Sequence, residues 1–285
     1  MFQPIDPDRP LGGRYKVISQ LGAGGFGQTF LAEDLHLPGN PRCVVKQLQP
    51  QVKDPTSLQI ARRLFDTEAQ ALYKLGNHDQ IPRLLAHFEQ DQEFYLAQEL
   101  IEGEPLSEEM TGQPWPEVRV IALLRDTLTA LTFVHQQNVI HRDIKPSNLI
   151  RRKFDSKIVL IDFGAVKDQV NPERIGASEQ TALTQYAIGT PGYAPPEQYR
   201  GIAEAQSDIY ALGATLHHLL TNDDPRLQTP FTFHERPIRN LNAAISADVA
   251  GIVEKALEYD MAKRWVTAED LKQAFVSLGV RGWCE

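Results

Sequence analysis

Val139-Ile-His-Arg-Asp-Ile-Lys-Pro-Ser-Asn-Leu-Ile150, followed shortly by Lys157-Ile-Val-Leu-Ile-Asp-Phe-Gly164, is the stretch on which the reading of this chain turns. Each half sets polar residues beside an apolar, strand-like run, so they fall where a strand gives way to a loop. Asp143, Asn148 and Asp162 are candidates to converge on one divalent cation and one attacking group. Magnesium takes carboxylate, amide and phosphate oxygens, which makes Asn148 and Asp162 suitable ligands. Asp143 is left to orient an incoming hydroxyl and accept its proton. Lys145, two residues on, can bring positive charge to a transferring phosphoryl group.

Further upstream, Leu21-Gly-Ala-Gly-Gly-Phe-Gly-Gln-Thr29 carries glycines at 22, 24 and 27. Without Cβ atoms the backbone can turn tightly and bring N–H groups to phosphate oxygens. A dinucleotide fingerprint would need a helix directly after the glycines and an acid about 20 residues on. Here β-branched and aromatic residues follow, and the acid's place is held by Arg42. A phosphate-binding loop of the G-x-x-x-x-G-K-[ST] kind fails at Gln28, which replaces the lysine. What remains is a hairpin whose backbone covers a nucleotide, or a glycine-rich hairpin with no ligand. Lys46 sits in an apolar strand, and Glu68 lies 22 residues later on the apolar side of a helix. Charges on core-facing surfaces need pairing, and a lysine so held can point its ammonium at phosphates. The plainer reading of Glu68 is a solvated helix residue.

Around these motifs the first hundred residues read as strands over Tyr15–Leu21, Gln28–Ala32, Cys43–Leu48, Leu84–Glu89 and Glu93–Leu100, with one helix over 57–76. Past Pro105 the pattern turns helical, over Glu117–Gln137, Ser207–Thr221, Ala247–Leu257 and Ala268–Leu278. The helix over 207–221 is nearly apolar, which predicts burial and makes His217 and His218 packing residues. The fold class is therefore α+β. Residues 1–13, rich in Pro, Gly and Asp, read as an extended arm.

The 285 residues carry 29 Lys and Arg against 37 Asp and Glu, a net charge of −8, which disfavours a nucleic-acid binder. Cys43 and Cys284 are too few for a disulfide framework or a structural zinc site and fit a reducing compartment. No apolar run nears the roughly 20 residues of a membrane span, and the N-terminus lacks a signal-peptide pattern. The expected location is the cytoplasm, with no membrane partner.

With these residues in place, the chain resembles a eukaryotic-type serine/threonine protein kinase from about Arg14 to Leu278. The segments LGAGGFGQTFLAED and GTPGYAPPEQY resemble the cyanobacterial branch of the bacterial kinases. The resemblance implies a bilobal fold: a small antiparallel β lobe with one helix (14–98), a hinge (99–103) and a larger, mainly α-helical lobe (104–278), with an arm (1–13) and a short tail (279–285). It implies ATP between the lobes, Mg²⁺ (or Mn²⁺), protein substrates with Ser/Thr acceptors, and autophosphorylation. It leaves no room for a sizeable accessory domain within these residues.

Residue by residue, Leu21, Gly22, Gly24, Gly27, Thr29 and Val44 would surround the nucleotide, with Glu99 and Ile101 presenting backbone groups to the adenine behind Gln98. Lys46, held by Glu68, would orient the α- and β-phosphates. Asn148 and Asp162 would hold the metal, Asp143 would orient the acceptor, and Lys145 would stabilise the γ-phosphoryl. His141, Arg142, Asp208 and Arg264 would be structural, Arg264 pairing with Glu197. Lys145 and Thr190 favour Ser/Thr acceptors. Arg142 would meet a phosphate on the activation segment, where Ser178, Thr181 and above all Thr184 are candidates. Thr29 and Val44 depart from the usual residues and bear on nucleotide affinity more than on the chemistry, and Pro195 departs within a motif that retains Glu197. The rival readings are a pseudokinase that binds nucleotide without turnover, and a small-molecule phosphotransferase of related fold. The intact Lys46, Asp143, Asn148 and Asp162 oppose the first, and the GTPGY and Pro196-Glu197 segments oppose the second.

Overall fold

The computed structural model describes residues 9–24, 27–48, 55–163, 167–168 and 189–277. The chain divides into two compact units, Met1–Ile101 and Glu102–Glu285.

The first unit is one antiparallel sheet and a helix. Strands β1 (Tyr15–Gly24), β2 (Gly27–Asp34), β3 (Arg42–Leu48), β4 (Leu84–Gln90) and β5 (Glu93–Glu99) lie in the order β1-β2-β3-β5-β4. Helix α1 spans Pro55–Leu75, and Gly76 follows it at φ 56°, the left-handed stop that glycine adopts without strain. Leu11, Tyr15, Ala32, Cys43, Val45, Tyr95 and Ala97 form a buried cluster against the sheet. Residues 9–13 are not extended. Leu11 lies inside that cluster, the Gly12 N–H donates to Gln90 Oε1 at 2.7 Å, and Arg9 pairs with Asp91 at 3.1 Å. The apolar side chain of Leu11 supplies the reason, since burying it is worth about 1.5–3 kcal/mol.

The second unit holds α2 (Leu106–Glu109), α3 (Glu117–Gln136), α4 (Ala205–Thr221), α5 (Ile238–Leu241), α6 (Ala247–Ala256) and α7 (Ala268–Ser277). Helix α4 is buried from Ser207 to Thr221, as its apolar sequence requires. Its start is fixed by Ser207, whose hydroxyl accepts the Glu204 N–H at 3.1 Å and donates to Glu197 at 2.8 Å. Short strands complete the unit: β6 (Gly103–Pro105), β8 (Leu149–Arg152) and β9 (Ile158–Leu160) in one sheet, β7 (Val139–Ile140) and β10 (Lys167–Asp168) in another. These strands escape period-2 reading because they are two to four residues long. The strand-like run after Lys157 ends at Leu160, and Asp162 beyond it adopts φ 68° and leaves extended geometry. Among the described residues no helix is long and apolar enough to cross a membrane.

Candidate active site

In the first unit the glycine-rich hairpin pairs Gly22 with Thr29 and Gly24 with Gly27. The two outer positions differ physically. A Cβ on Gly27 would lie 1.9 Å from the Gln47 carbonyl oxygen, so close packing of β2 on β3 demands glycine there. A Cβ on Gly22 would meet nothing within 4 Å, so no neighbour among the described residues explains that glycine. Thr29 sits opposite Lys46, and Val44 opposite both Leu31 and Gln98. Lys46 Nζ donates to Glu68 Oε1 at 2.9 Å, with Glu68 buried and Lys46 nearly so. The Glu99 N–H donates to the Arg83 carbonyl at 2.9 Å, and its carboxylate pairs with Arg83 at 3.1 Å. Leu21 is exposed, and Ile101 closes the unit in a stretch outside the strands.

In the second unit the loop between β7 and β8 gathers the polar residues. The Asp143 carboxylate accepts four hydrogen bonds: from the Thr190 N–H (3.0 Å), the Thr190 hydroxyl (2.7 Å), the Lys145 ammonium (2.7 Å) and the Asn148 amide (3.0 Å). Lys145 also donates to Thr190 Oγ1 at 2.7 Å. The Asn148 amide nitrogen additionally reaches the Asp143 carbonyl at 2.8 Å, so Oδ1 is what Asn148 offers a cation. The Ile161 N–H donates to the Asn148 carbonyl at 3.0 Å, which brings the backbone beside Asp162 against Asn148.

This loop is held from beneath. Asp208, fully buried on α4, accepts the His141 N–H at 2.9 Å, the Arg142 N–H at 2.7 Å and His135 Nε2 at 2.8 Å. Burial alone would push the Asp208 carboxyl up, but the hydrogen bonds from His135 and from the Arg142 N–H hold it below the ordinary carboxylate value. Arg142 sits at φ 70°, a left-handed conformation costly for a residue with a side chain, and Asp208 grips its amide. Burial lowers the Arg142 guanidinium to about 10, partly offset by the Asp208 charge. Both ring nitrogens of His141 are engaged: Nε2 with the Ile161 carbonyl at 3.0 Å, Nδ1 with the Asp143 N–H at 3.3 Å. The Phe163 ring meets the His141 ring edge-on at 4.7 Å. Arg264, with no exposed side-chain surface, grips Glu197 through two bonds of 2.7 and 3.0 Å.

The protein kinase domain family matches residues 15–276. This chain is a protein kinase domain. It is 45% identical over 271 residues to serine/threonine-protein kinase B of Synechocystis, covering 93% of this chain and 46% of that protein. It is 41% identical over 273 residues to serine/threonine-protein kinase PknA of Nostoc, covering 95% and 48%. The resemblance to the cyanobacterial branch is thus borne out, and the chain spans about half the length of the curated relatives it matches. The crystal structure of a mutant of the Mycobacterium tuberculosis PknI kinase domain superposes with a TM-score of 0.73 at 24% identity, over 97% of this chain and 100% of that one. At that identity it speaks for the fold, and the bilobal α+β class stands.

The sequence-predicted residues of this kinase domain thus gather in two groups, one in each unit. Gly164, Ser178, Thr181 and Thr184 lie outside the described residues, as does any partner they would offer Arg142. Three contributors go beyond the roles read from the sequence. His135 completes the Asp208 cluster, and Gln198 donates to the Arg142 carbonyl at 2.7 Å. His218, expected only to pack, meets the Tyr193 hydroxyl at 2.7 Å through Nδ1. His217 does pack, edge-on to Phe233 at 5.0 Å, and its Nε2 donates to the Arg236 carbonyl at 2.9 Å. A buried polar residue in an apolar helix was the one cue available.

Proposed function

We propose that this domain is an ATP-dependent serine/threonine protein kinase that moves the γ-phosphoryl of ATP to Ser or Thr hydroxyls of protein substrates. The observation that carries the reading is the Asp143 carboxylate, fixed by Lys145 and Asn148 and already taking a hydroxyl hydrogen bond from Thr190 at 2.7 Å. An acceptor serine presents the same group. Asp143 would orient that hydroxyl and take its proton as the new P–O bond forms. The bond from the γ-phosphorus to the ADP oxygen breaks, and ADP leaves. Lys145 would balance charge on the phosphoryl oxygens, and Lys46, kept in place by Glu68, would orient the α- and β-phosphates.

The donor set fits a hard divalent cation. Asn148 offers an amide oxygen and Asp162 a carboxylate, the ligand types Mg²⁺ prefers. Mg²⁺, or Mn²⁺ in its place, would neutralise phosphate charge when bound. The open space over Gly22 supports close approach of a phosphate to the hairpin backbone. Val44 and Thr29 would flank the nucleotide, with Leu21, Gly24 and Gly27 forming its cover and Glu99 and Ile101 offering backbone groups to the adenine. Autophosphorylation on Thr184 and pairing of the new phosphate with Arg142 complete the proposal. Cysteine usage supports a cytoplasmic setting, and the acidic balance speaks against nucleic acid.

The test uses purified protein, γ-labelled ATP, Mg²⁺ and casein, beside Asp143→Asn. Wild type should label casein or itself, and the variant should lose roughly a hundredfold or more. A wild type that transfers no phosphate would establish the pseudokinase reading instead.

A further inference from the structure

The kinase reading gives the backbone of Glu99 to the adenine, and Glu99 ends the hairpin of β4 and β5. We infer that Leu11 and Gly12 are positioning residues for the nucleotide: they clamp the Asp91–Gln92 turn that sets the register of β4, the strand whose lead-in residue Arg83 holds Glu99.

The turn does not hold itself. Gln90 pairs with Glu93, which leaves Asp91 and Gln92 as a two-residue loop at φ 54° and 62°. Two left-handed residues in succession make the hairpin turn that normally takes Asn-Gly or Asp-Gly. Aspartate tolerates that conformation, but Gln92 brings a full side chain to a position that favours glycine. Such a residue persists only where its surroundings over-determine it. Those surroundings come from residues 9–13. The Gly12 N–H donates to Gln90 Oε1 at 2.7 Å, and Gln90 Nε2 donates to Asp91 Oδ2 at 3.4 Å. Arg9 reaches the same Asp91 oxygen at 3.1 Å, but that pair is exposed on both sides and adds little. Gly12 stands at φ 59°, and a Cβ there would lie 2.9 Å from the Phe88 ring. Phe88 on β4 stacks at 5.3 Å on Tyr95, the β5 residue it faces in the pairing. Leu11 ties the clamp down. It is buried among Tyr15, Val45 and Tyr95, and it exchanges both backbone hydrogen bonds with Tyr15, at 2.8 and 2.9 Å.

The sheet order carries this to the nucleotide. β5 is held by β3 as well, whereas β4 is the edge strand, so the register of β4 rests on its turn. The far end of the hairpin cannot supply it, because the pairing there shifts between Leu84 and Ala86. Just before β4, the Arg83 carbonyl accepts the Glu99 N–H at 2.9 Å, and the Arg83 guanidinium pairs with the Glu99 carboxylate at 3.1 Å. A β4 that slides therefore loosens Glu99, about 20 Å from the clamp. Lys46 is held separately by Glu68, so the adenine end feels the change before the phosphate end does.

The test measures binding of the non-hydrolysable analogue AMP-PNP with Mg²⁺ by calorimetry, and kcat and the KM for ATP with casein. Gly12→Ala and Gln90→Ala should each weaken nucleotide affinity by roughly three- to tenfold, the effect of one lost hydrogen bond. Their kcat at saturating ATP should stay within about twofold of wild type. Gln92→Gly gives the turn the Asp-Gly sequence it prefers, and should restore the affinity of Gly12→Ala to within about twofold of wild type. A role confined to packing would lower the Tm of Gly12→Ala and leave affinity alone. Unchanged affinity in Gln90→Ala, or a Gly12→Ala/Gln92→Gly variant as weak as Gly12→Ala, would overturn the inference. If Gly12→Ala does not fold, Gln90→Ala and Gln90→Ala/Gln92→Gly decide in its place by the same criteria. The inference rests on the kinase reading, and the two fail separately. A wild type that binds AMP-PNP without transferring phosphate removes the kinase reading and leaves the clamp to be judged on binding. A wild type that binds no nucleotide removes both, and an active wild type with indifferent variants removes only this one.

Discussion

Replacing Asp208 with asparagine keeps the shape of the side chain and deletes one acceptor and the charge. Asp208 has three donors: Oδ1 takes the Arg142 N–H, and Oδ2 takes the His141 N–H and His135 Nε2. A carboxamide has one oxygen, so one of the two backbone N–H groups must face an NH₂ whichever way it is turned. A buried donor left without an acceptor costs about 1–3 kcal/mol. Weakening the bonds that the charge had strengthened adds roughly another 1 kcal/mol. The sum, about 2–4 kcal/mol, is a large share of the 5–15 kcal/mol typical of a domain, yet leaves it folded. It corresponds to a fall in Tm of roughly 5–12 °C, readable by calorimetry. Activity should fall further than stability. Arg142 is strained at φ 70° by about 1–3 kcal/mol, and a loosened amide lets it relax and carry Asp143 away. The acid limb of the stability curve gives an independent reading. The folded Asp208 carboxyl is held below its unfolded value, so its contribution is present above the ordinary carboxylate range and is lost as pH falls through the folded value. Asp208→Asn should flatten that part of the curve. An Asn variant that melts with wild type and transfers phosphate at the wild-type rate would refute the anchoring role.

Gly27→Ala should destabilise the first unit, since its Cβ would fall 1.9 Å from the Gln47 carbonyl oxygen, whereas Gly22→Ala, with open space, should melt like wild type and bind ATP more weakly; equal melting of the two would contradict this. Lys46→Met strands Glu68 in a buried site and should abolish turnover while costing about 1–3 kcal/mol, and Lys46→Met/Glu68→Leu should regain stability without activity, checked by urea denaturation beside the kinase assay. Glu197→Gln leaves Arg264 buried without its charge partner and should cost about 3–5 kcal/mol in the same urea experiment; a loss under about 1 kcal/mol would make the pair ornamental. Stability should fall as pH drops below about 6.5, because burial lowers both His217 and His218 and the unfolded chain then binds more protons. Each can add up to about 1.4 kcal/mol per pH unit, and a flat profile between about pH 7 and 5.5 would count against it.

What was legible in the sequence was local. The strands of the first unit, α1, α3 and α4 follow from residue periodicity, and the pairing of Lys46 with Glu68 follows from the cost of burying either charge alone. What was not legible is how the catalytic loop keeps its shape. Arg142 and Asp162 both stand at positive φ without being glycine, a choice no propensity favours. The groups that hold the loop are backbone amides gripped from afar: Asp208 is 66 residues from Arg142, and Gln198 is 56 from the same residue. Spacing arguments see side-chain types, whereas backbone N–H and C=O groups are the same at every position and leave no mark in a sequence. This bears directly on the choice between an enzyme and its inactive look-alike. A chain could keep the lysine, both aspartates and the asparagine while losing the grip on residues 141 and 142, and its motifs would read unchanged. The weight therefore shifts from the presence of Asp143 to its position. Asp143 is fixed by four donors, two of them from Thr190, and rests on a strained residue that a buried carboxylate holds in place. Strain of that kind persists only where several contacts over-determine it. A nucleotide-binding module without turnover would have no use for the expense, which is why the geometry favours catalysis more strongly than the motifs do.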